Sequence, residues 1–287
     1  MSAQLTWPLV AWVLFGALLH ASWNALVKSS ADKALDTALI QTLAALLALP
    51  LIGWLGWPPA VAWPFLVAST VIHFAYYLAL SSAYQHGDLG LTYPLMRGTA
   101  PLLVALASWV AVGERLSSMA WVGVLAVCSG VLVLGLSRHA MASPRAVRFA
   151  LINAVMIALY TLVDALGVRA VTQAGGSATQ YVVALFVVHG WPFVLYVMAR
   201  RGPAIVAPYV RARWHLGLGG AVASMGSYAI ALWAMTHATV ATVAALRETS
   251  VLFAALLGTW FLKERFTPQR SVGTAAIVAG VMALRIS

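Results

Sequence analysis

Charged side chains are scarce in this chain of 287 residues, of which 8% are charged and 62% are hydrophobic. An ordinary soluble domain has about 25% charged residues, because its surface must face water. The mean hydropathy of +0.91 means that most side chains face lipid or other helices. The composition therefore excludes a water-soluble globular protein and predicts a polytopic membrane protein.

Cysteine and familiar catalytic motifs are also lacking. The single cysteine, Cys128, has no partner for an intrachain disulfide or a cysteine-based metal cluster. The chain has no Gly-x4-Gly-Lys-Ser/Thr loop, which argues against a nucleotide-driven pump. It also has no His-Glu-x-x-His or Gly-x-Ser-x-Gly motif, which leaves an intramembrane enzyme with little support. We therefore expect no cofactor, no metal and no catalytic residue.

Ten stretches are long and apolar enough to cross about 30 Å of hydrocarbon as helices. They lie at residues 6–27, 35–55, 63–84, 90–112, 118–137, 148–168, 178–199, 214–236, 239–262 and 270–286. The loops between them are short, so there is no room for a sizeable extramembrane domain. The sequence therefore predicts an all-α integral membrane protein whose function resides within its helices.

The basic residues outside these spans are divided unequally between the two membrane sides. One side has twelve, namely Lys28, Lys33, Arg138, Arg145, Arg148, Arg200, Arg201, Arg211, Arg213, Lys263, Arg265 and Arg270. The other side, which also holds both termini, has only Arg115, Arg169 and Arg285. The positive-inside rule then places the central loop in the cytoplasm and both termini outside. The net charge of +10 is thus explained by topology, without a nucleic-acid partner.

The two halves of the chain are related by an internal repeat. An offset of 150 residues aligns RGTAPLLVALASWVAVGERL, from Arg97, with RETSVLFAALLGTWFLKERF, from Arg247. Pro50 and Pro192 also occupy matching positions, so the repeat is expected to cover five helices in each half, at 1–137 and 148–287. A repeat unit with an odd number of spans enters the membrane upside down the second time, as in secondary transporters with inverted repeats.

Small residues recur on one face of the last helix of each repeat. They are Gly123, Ala126 and Gly130 in span 5, and Gly273, Ala276 and Gly280 in span 10. Small residues at spacings of three and four let helix backbones approach closely in lipid. We expect these two faces to form the structural scaffold.

The repeated motifs resemble those of the EamA-type drug/metabolite transporter superfamily. The fourth helix of each repeat closes in Gly113-Glu114-Arg115 or Lys263-Glu264-Arg265 and is followed by a Gly-x6-Gly helix. The segment from His20 to Lys28 is similar to the first-helix motif of that group. The resemblance spans nearly the whole chain and implies ten helices around a central cavity, often for export of small metabolites. It also implies cytoplasmic termini, in conflict with the loop charges.

Four ionisable side chains lie well inside the spans: Arg97, Asp164, Arg247 and Glu248. Insertion of such a group near a helix centre costs about 2.5–3.5 kcal/mol, so each should face a cavity or a partner. The functional interpretation is that one or both arginines hold a substrate carboxylate or phosphate. The structural alternative is an internal ion pair, Arg97 with Asp164 or Arg247 with Glu248. Pro94 and Pro101 predict that span 4 is bent or broken around Arg97.

Other polar and aromatic side chains complete the candidate site. Glu248 and Asp164 are the candidates for proton coupling, because they are acids within the membrane. Asn24 and His73 are candidates for substrate contact, although each could instead be a hydrogen-bonded packing residue. Tyr77 and Tyr160 lie deep enough to line a pocket by stacking on a ligand.

These features together predict a secondary transporter in the bacterial cytoplasmic membrane. It would move a small amino-acid-like metabolite, zwitterionic or anionic, by alternating access, with export as the favoured direction and proton coupling or exchange as the energy source. Its expected partners are this small molecule and membrane lipid, and it would work as a monomer or homodimer. A non-transporting assembly or sensor subunit with the same fold stays open as an alternative.

Overall fold

The computed structural model describes residues 5–86, 89–135, 143–262 and 267–287, and these residues contain α-helices and no strand. The α-helices are α1 (Trp7–Lys28), α2 (Lys33–Leu55), α3 (Trp63–His86), α4 (Leu89–Val112), α5 (Ser118–Gly135), α6 (Pro144–Gln173), α7 (Ala178–His189), α8 (Trp191–Arg201), α9 (Pro203–Met235), α10 (Val240–Arg247), α11 (Thr249–Leu262) and α12 (Pro268–Arg285). A short 3-10 turn, Ala60–Ala62, precedes α3.

The helices of the described chain correspond to all ten predicted spans. Helices α7 and α8 form one span interrupted at Gly190, and α10 and α11 form one span interrupted at Glu248. By length and composition, seven spans in the described part are apolar enough to cross a membrane, with α7 and α8 taken together. The other three are the shorter apolar helix α5, the interrupted pair α10 and α11, and α12. The predicted all-α membrane fold is confirmed.

Two helices begin earlier than predicted. Helix α6 starts at Pro144 and α9 starts at Pro203, within stretches that the sequence indicates as basic loops. Proline is favoured in the first helical turn, because it has no N–H to satisfy there and its φ is already helical. The added turns of α9 are also held by tertiary contacts, since Tyr209 and Arg213 both bind Asp36 at the start of α2. Basic side chains are tolerated in these turns because the turns extend beyond the apolar part of the helix.

Span 4 is predicted to be bent or broken around Arg97, and the break is wrong, because α4 runs from Leu89 to Val112 with Pro94 and Pro101 inside it. The break occurs in span 9 at Glu248 instead. There the N–H of Glu248 donates to Ala245 and its carbonyl accepts from Val251, both with the tighter spacing of three residues. Adjacent residues of a regular helix point about 100° apart. Arg247 and Glu248, which meet at this break, nevertheless line the same cavity.

The scaffold contact between α5 and α12 shows the repeat in detail. A Cβ placed on Gly123 would lie 2.9 Å from the carbonyl oxygen of Gly280, and one on Gly273 would lie 2.9 Å from that of Gly130. Leu284 crowds Gly123 just as Leu134 crowds Gly273. The equivalent glycines thus have equivalent surroundings, and the two helices approach each other where only hydrogen fits.

Other helix contacts also reflect the repeat. Helix α1 packs on α9 as α3 packs on α6, which are the pairs expected when spans 1–5 and 6–10 change places. These cross-repeat contacts bring α1, α3, α4, α6, α9 and α10 together around the centre of the molecule. The repeat limits of 1–137 and 148–287 stay a prediction, since residues 136–142 lie outside the described ranges.

Candidate functional site

A central cavity of about 60 Å³ lies between the two halves. It has room for a few water molecules. Its walls are mostly aromatic rings, with a few polar groups between them. The lining residues are His20, Trp23, Gln41, His73, Tyr76, Tyr77, Tyr160, Phe186, His189, Ser224, Ser227, Tyr228 and Arg247.

The aromatic wall is built from one face of α3 and from the centre of α6. His73, Tyr76 and Tyr77 follow one another at helical spacings that place them on neighbouring positions of α3. The His73 ring stacks on the Tyr160 ring of α6 with their centroids 4.3 Å apart. Nδ1 of His73 lies 2.9 Å from the backbone carbonyl oxygen of Ser69, which fixes the orientation of the imidazole. Histidine and tyrosine therefore form a rigid surface for a planar group.

Gln41 is a cavity residue that the sequence analysis missed. Its side-chain Nε2 donates to the Tyr77 hydroxyl at 2.5 Å, and it lies opposite the interruption of span 7 at Gly190. The available signal was an amide within an otherwise apolar run of span 2, because an amide in hydrocarbon must find a hydrogen bond. Ser224 and Ser227 of α9 also line this cavity and were not singled out.

Arg247 presents a positive charge to the cavity at the end of α10. Its guanidinium carbon lies 5.3 Å from the centroid of the Tyr228 ring, a distance at which a cation is attracted to an aromatic face. The side chain is buried, and its Nε–H has no hydrogen-bond partner among the described residues. Arg247 therefore has donor capacity left for an anionic group.

Asp164 lies behind this arginine rather than in the cavity wall. Its carboxylate is fully buried and accepts hydrogen bonds from the hydroxyls of Tyr228, at 2.5 Å, and Tyr181, at 2.8 Å. Tyr228 thus links Asp164 to Arg247, because its hydroxyl donates a hydrogen bond to Asp164 and its ring face contacts the guanidinium of Arg247. Asp164 fixes the position of Tyr228 beneath the guanidinium.

Arg97 is paired with Glu248, across the two repeats. Nε of Arg97 lies 2.8 Å from Oε2 of Glu248, and both side chains are buried. The Nε–H is not aimed at the carboxylate oxygen, so this contact is an ion pair without an aligned hydrogen bond. The pairings considered from the sequence, Arg97 with Asp164 and Arg247 with Glu248, are therefore wrong. The repeat places Arg97 and Arg247 at equivalent positions, and one carboxylate lies next to both.

A second, smaller cavity of about 10 Å³ adjoins this ion pair. That volume is barely enough for one water molecule. The two cavities share Tyr160 and Arg247, so they are neighbours around one guanidinium. The lining residues of the smaller cavity are Arg97, Ala100, Pro101, Val104, Ile157, Tyr160, Thr161, Ala244, Arg247 and Glu248.

The structure thus brings together six of the eight candidate residues at these two cavities. They are Arg97, Arg247, His73, Tyr77, Tyr160 and Glu248. Asp164 supports the wall from behind, as described. Asn24 is half-buried, is not among the lining residues, and donates from its side-chain Nδ2 to the carbonyl oxygen of His20, 2.8 Å away on its own helix. A local hydrogen bond of this kind satisfies an amide without a cavity.

Polar networks join the two repeats at both ends of the molecule. At the basic end, Arg213 of α9 binds both carboxylate oxygens of Asp36, at 2.9 and 2.8 Å, and Arg201 binds Asp32 at 2.7 Å. At the opposite end, Glu114 binds Arg169 at 2.6 Å and accepts the N–H of Val240 at 2.9 Å. We refer to these as the basic-end network and the Glu114 network.

The motif partner of Glu114 in the second repeat cannot be compared, because Lys263, Glu264 and Arg265 lie outside the described residues. In the described part, no group of three or more His, Cys, Asp or Glu side chains is arranged to hold a metal ion.

Comparison with known proteins matches this chain to transporters. The profile of the EamA-like transporter family matches residues 7–136 and 144–286. The multidrug transporter EmrE of Escherichia coli (strain K12) is 30% identical over 74 residues, which are 26% of this chain and 66% of EmrE, slightly less than two thirds of its length. A solved structure, described only as a protein crystal structure, has a TM-score of 0.74 and 22% identity and covers 96% of this chain and 97% of its own. That likeness concerns the fold alone.

Proposed function

Because the chain belongs to the EamA-like transporter family, we propose that it moves a small metabolite with a carboxylate group and a planar apolar part by alternating access. The family and the EmrE relative identify it more coarsely as a membrane transporter of the drug/metabolite type. The finer proposal, an amino-acid-like zwitterion or anion, is supported by the cavity.

The observation that carries the proposal is the position of Arg247. Its guanidinium lies over the Tyr228 ring, lines both cavities and has an Nε–H that no described residue accepts. A guanidinium in this position can bind a carboxylate with two parallel hydrogen bonds. The stacked rings of His73 and Tyr160 lie across the same cavity, where they can contact a planar apolar group. The cavity therefore combines one anion-binding group with an aromatic surface.

Alternating access is supported by the two end networks. Each network joins the first repeat to the second, and the two lie at opposite ends of the helices. The cavity lies between them and, at about 60 Å³, has room only for a few water molecules, so a ring-bearing substrate requires that it widen. Opening toward one side would break one network while the other holds.

The orientation that we propose follows the loop charges, with both termini outside the cytoplasm. In this orientation the basic-end network faces the cytoplasm and the Glu114 network faces outward. In export, the substrate would then leave the protein at the outward end, which the Glu114 network closes.

Three probes that share one ring and differ in charge test the proposed substrate class. They are phenylacetate, phenylalanine and phenethylamine, which are an anion, a zwitterion and a cation. A ligand that binds only the folded protein raises its stability, by about 2.7 kcal/mol at 100 times its Kd. We expect phenylacetate and phenylalanine to raise the melting temperature of the purified protein, and phenethylamine to leave it unchanged, because Arg247 repels a cation.

The matched control for this experiment is benzyl alcohol, which keeps the ring and has no charge. Stabilisation by phenethylamine alone would refute the proposed substrate class, since it would mean that Asp164 or Glu248 binds the ligand. Equal stabilisation by all probes, benzyl alcohol included, would show ring binding without a role for Arg247, which also contradicts the proposal.

A further inference from the structure

The buried charges around the two cavities sum to zero when the described residues that line the cavities or support their walls are counted. Arg97 and Arg247 are positive, and Glu248 and Asp164 are negative when ionised. All four side chains are buried, and a buried charge without a partner costs several kcal/mol in general. The empty site thus needs Glu248 as its internal counter-ion. A monoanion that enters the site would leave one negative charge in excess.

The space beside the ion pair determines how a carboxylate can reach Arg97. The smaller cavity has about 10 Å³, which does not admit a carboxylate in addition to that of Glu248. Arg97 nevertheless has buried donors, at Nε and Nη2, without an aligned acceptor among the described residues. A carboxylate from outside can therefore use these donors only if the Glu248 carboxylate leaves. Glu248 lies at the break between α10 and α11, where the regular helical hydrogen bonds are already interrupted.

We propose that a substrate carboxylate held by Arg247 also displaces Glu248 from Arg97, so that it bridges the two arginines, and that Glu248 takes up one proton from water as it is displaced. The inference rests on the proposed function, because it concerns the same cavity and the same substrate class. Binding of one anion together with one proton keeps the buried site neutral. For an anionic substrate, Glu248, rather than Asp164, then carries a proton that crosses the membrane together with the anion, so an inward proton gradient would favour uptake and not the export expected from the sequence.

The groups around Glu248 support this assignment. Several groups interact electrostatically with Glu248 or with the arginines beside it. They are Arg97 and Tyr93 of α4, Arg247 of α10, Tyr160 and Asp164 of α6, His20 of α1, His73 and Tyr76 of α3, Tyr228 of α9 and Cys128 of α5. Asp164 is the other acid, and its carboxylate keeps two tyrosine hydroxyl donors whether or not a substrate is bound. Glu248 loses its ion-pair partner, Arg97, when a carboxylate takes its place, and the same carboxylate also neutralises the nearby Arg247. Glu248 is therefore the acid whose protonation depends on the ligand.

Titration calorimetry with phenylacetate measures the proton count directly. The heat of binding is measured in phosphate and in Tris, which differ in ionisation enthalpy, and the difference gives the number of protons exchanged. We expect uptake of about one proton per phenylacetate in the wild type at pH 7.5. By linkage, the affinity should fall about tenfold for each pH unit while Glu248 is ionised in the empty protein. Phenylalanine has no net charge and should bind without proton uptake.

Two variants identify the residue that takes up the proton. Glu248→Gln keeps the shape of the side chain and removes its charge, so phenylacetate should bind without proton uptake and with little dependence on pH from 6 to 8. Asp164→Glu, which keeps the buried charge that Asp164→Asn would remove, should retain the uptake of one proton. Melting curves are measured for both variants to test whether they are folded.

The possible outcomes separate this inference from the proposed function. Phenylacetate binding without proton uptake in the wild type would refute the inference and leave the function standing. Proton uptake that persists in Glu248→Gln would assign the proton to Asp164 or to a cavity histidine, which also refutes it. Absence of binding by both phenylacetate and phenylalanine would refute the substrate class, and this inference with it.

Discussion

Replacement of Arg247 by lysine is expected to lower the affinity for phenylalanine about 10- to 100-fold while the protein stays folded. The estimate corresponds to one hydrogen bond to a charged group, about 1.5–3 kcal/mol. Lysine keeps the positive charge but offers a point charge instead of a planar fork, and it stacks less well on the Tyr228 ring. The affinity is measured by titration calorimetry, and folding is measured by the melting temperature.

The matched control is Arg211→Lys, an exposed arginine of α9. This substitution makes the same chemical change away from the cavities and should leave the affinity unchanged. An Arg247→Lys protein that binds phenylalanine as tightly as the wild type would show that the guanidinium does not hold the carboxylate. Equal losses in both variants would point to a general effect of replacing arginine by lysine that has nothing to do with the cavity.

The second large effect is expected from the Arg97–Glu248 pair. Arg97→Leu and Glu248→Leu should each destabilise the protein by about 3–5 kcal/mol, because each leaves a buried charge without its partner. The double variant Arg97→Leu/Glu248→Leu should regain most of this stability, since an apolar pair replaces an ion pair of similar volume. It should nevertheless fail to transport, because it has lost both the carboxylate that the substrate displaces and the arginine beneath it.

Arg247→Leu/Glu248→Leu is the comparison that tests the pairing. This double variant leaves Arg97 alone in the protein interior, so it should remain destabilised although it also removes one positive and one negative charge. Thermal melting in detergent ranks the four proteins. If the Arg247/Glu248 double variant were the more stable of the two, Glu248 would belong with Arg247, and the description of the site would be wrong. Wild-type flux in Arg97→Leu/Glu248→Leu would make the pair merely structural.

The scaffold was predictable because its physical cause is local in sequence. Helices in lipid gain little from the hydrophobic effect, so close packing needs small residues on one face. Gly123 and Gly273 recur at the repeat offset, and the structure places them against α12 and α5 in equivalent contacts. The ten spans follow in the same way from hydrophobic length.

The pairing of the charges was not predictable from the sequence. It depends on how α4 and α10 are rotated against each other, and no local pattern reports this rotation. The cost of a charge in hydrocarbon correctly selected Arg97, Arg247 and Glu248 as residues that face a cavity. It could not show that Glu248 would meet the arginine of the other repeat.

Short polar side chains were the least predictable group. An amide within a membrane helix signals a hydrogen bond but not its partner. Asn24 satisfies its amide on its own helix, whereas Gln41, with one more methylene, reaches Tyr77 in the cavity wall. The two residue types look alike in the sequence, so their different roles required the structure.

Counterflow in proteoliposomes tests the central claim most directly. Vesicles that contain the purified protein are loaded with unlabelled phenylalanine and diluted into buffer with radiolabelled phenylalanine, so that exchange through one site accumulates label inside. We predict transient accumulation in wild-type vesicles and little in vesicles with Arg247→Lys. Label that enters no faster than in protein-free vesicles, or equally in both proteins, would contradict a transporter that holds its substrate carboxylate on Arg247.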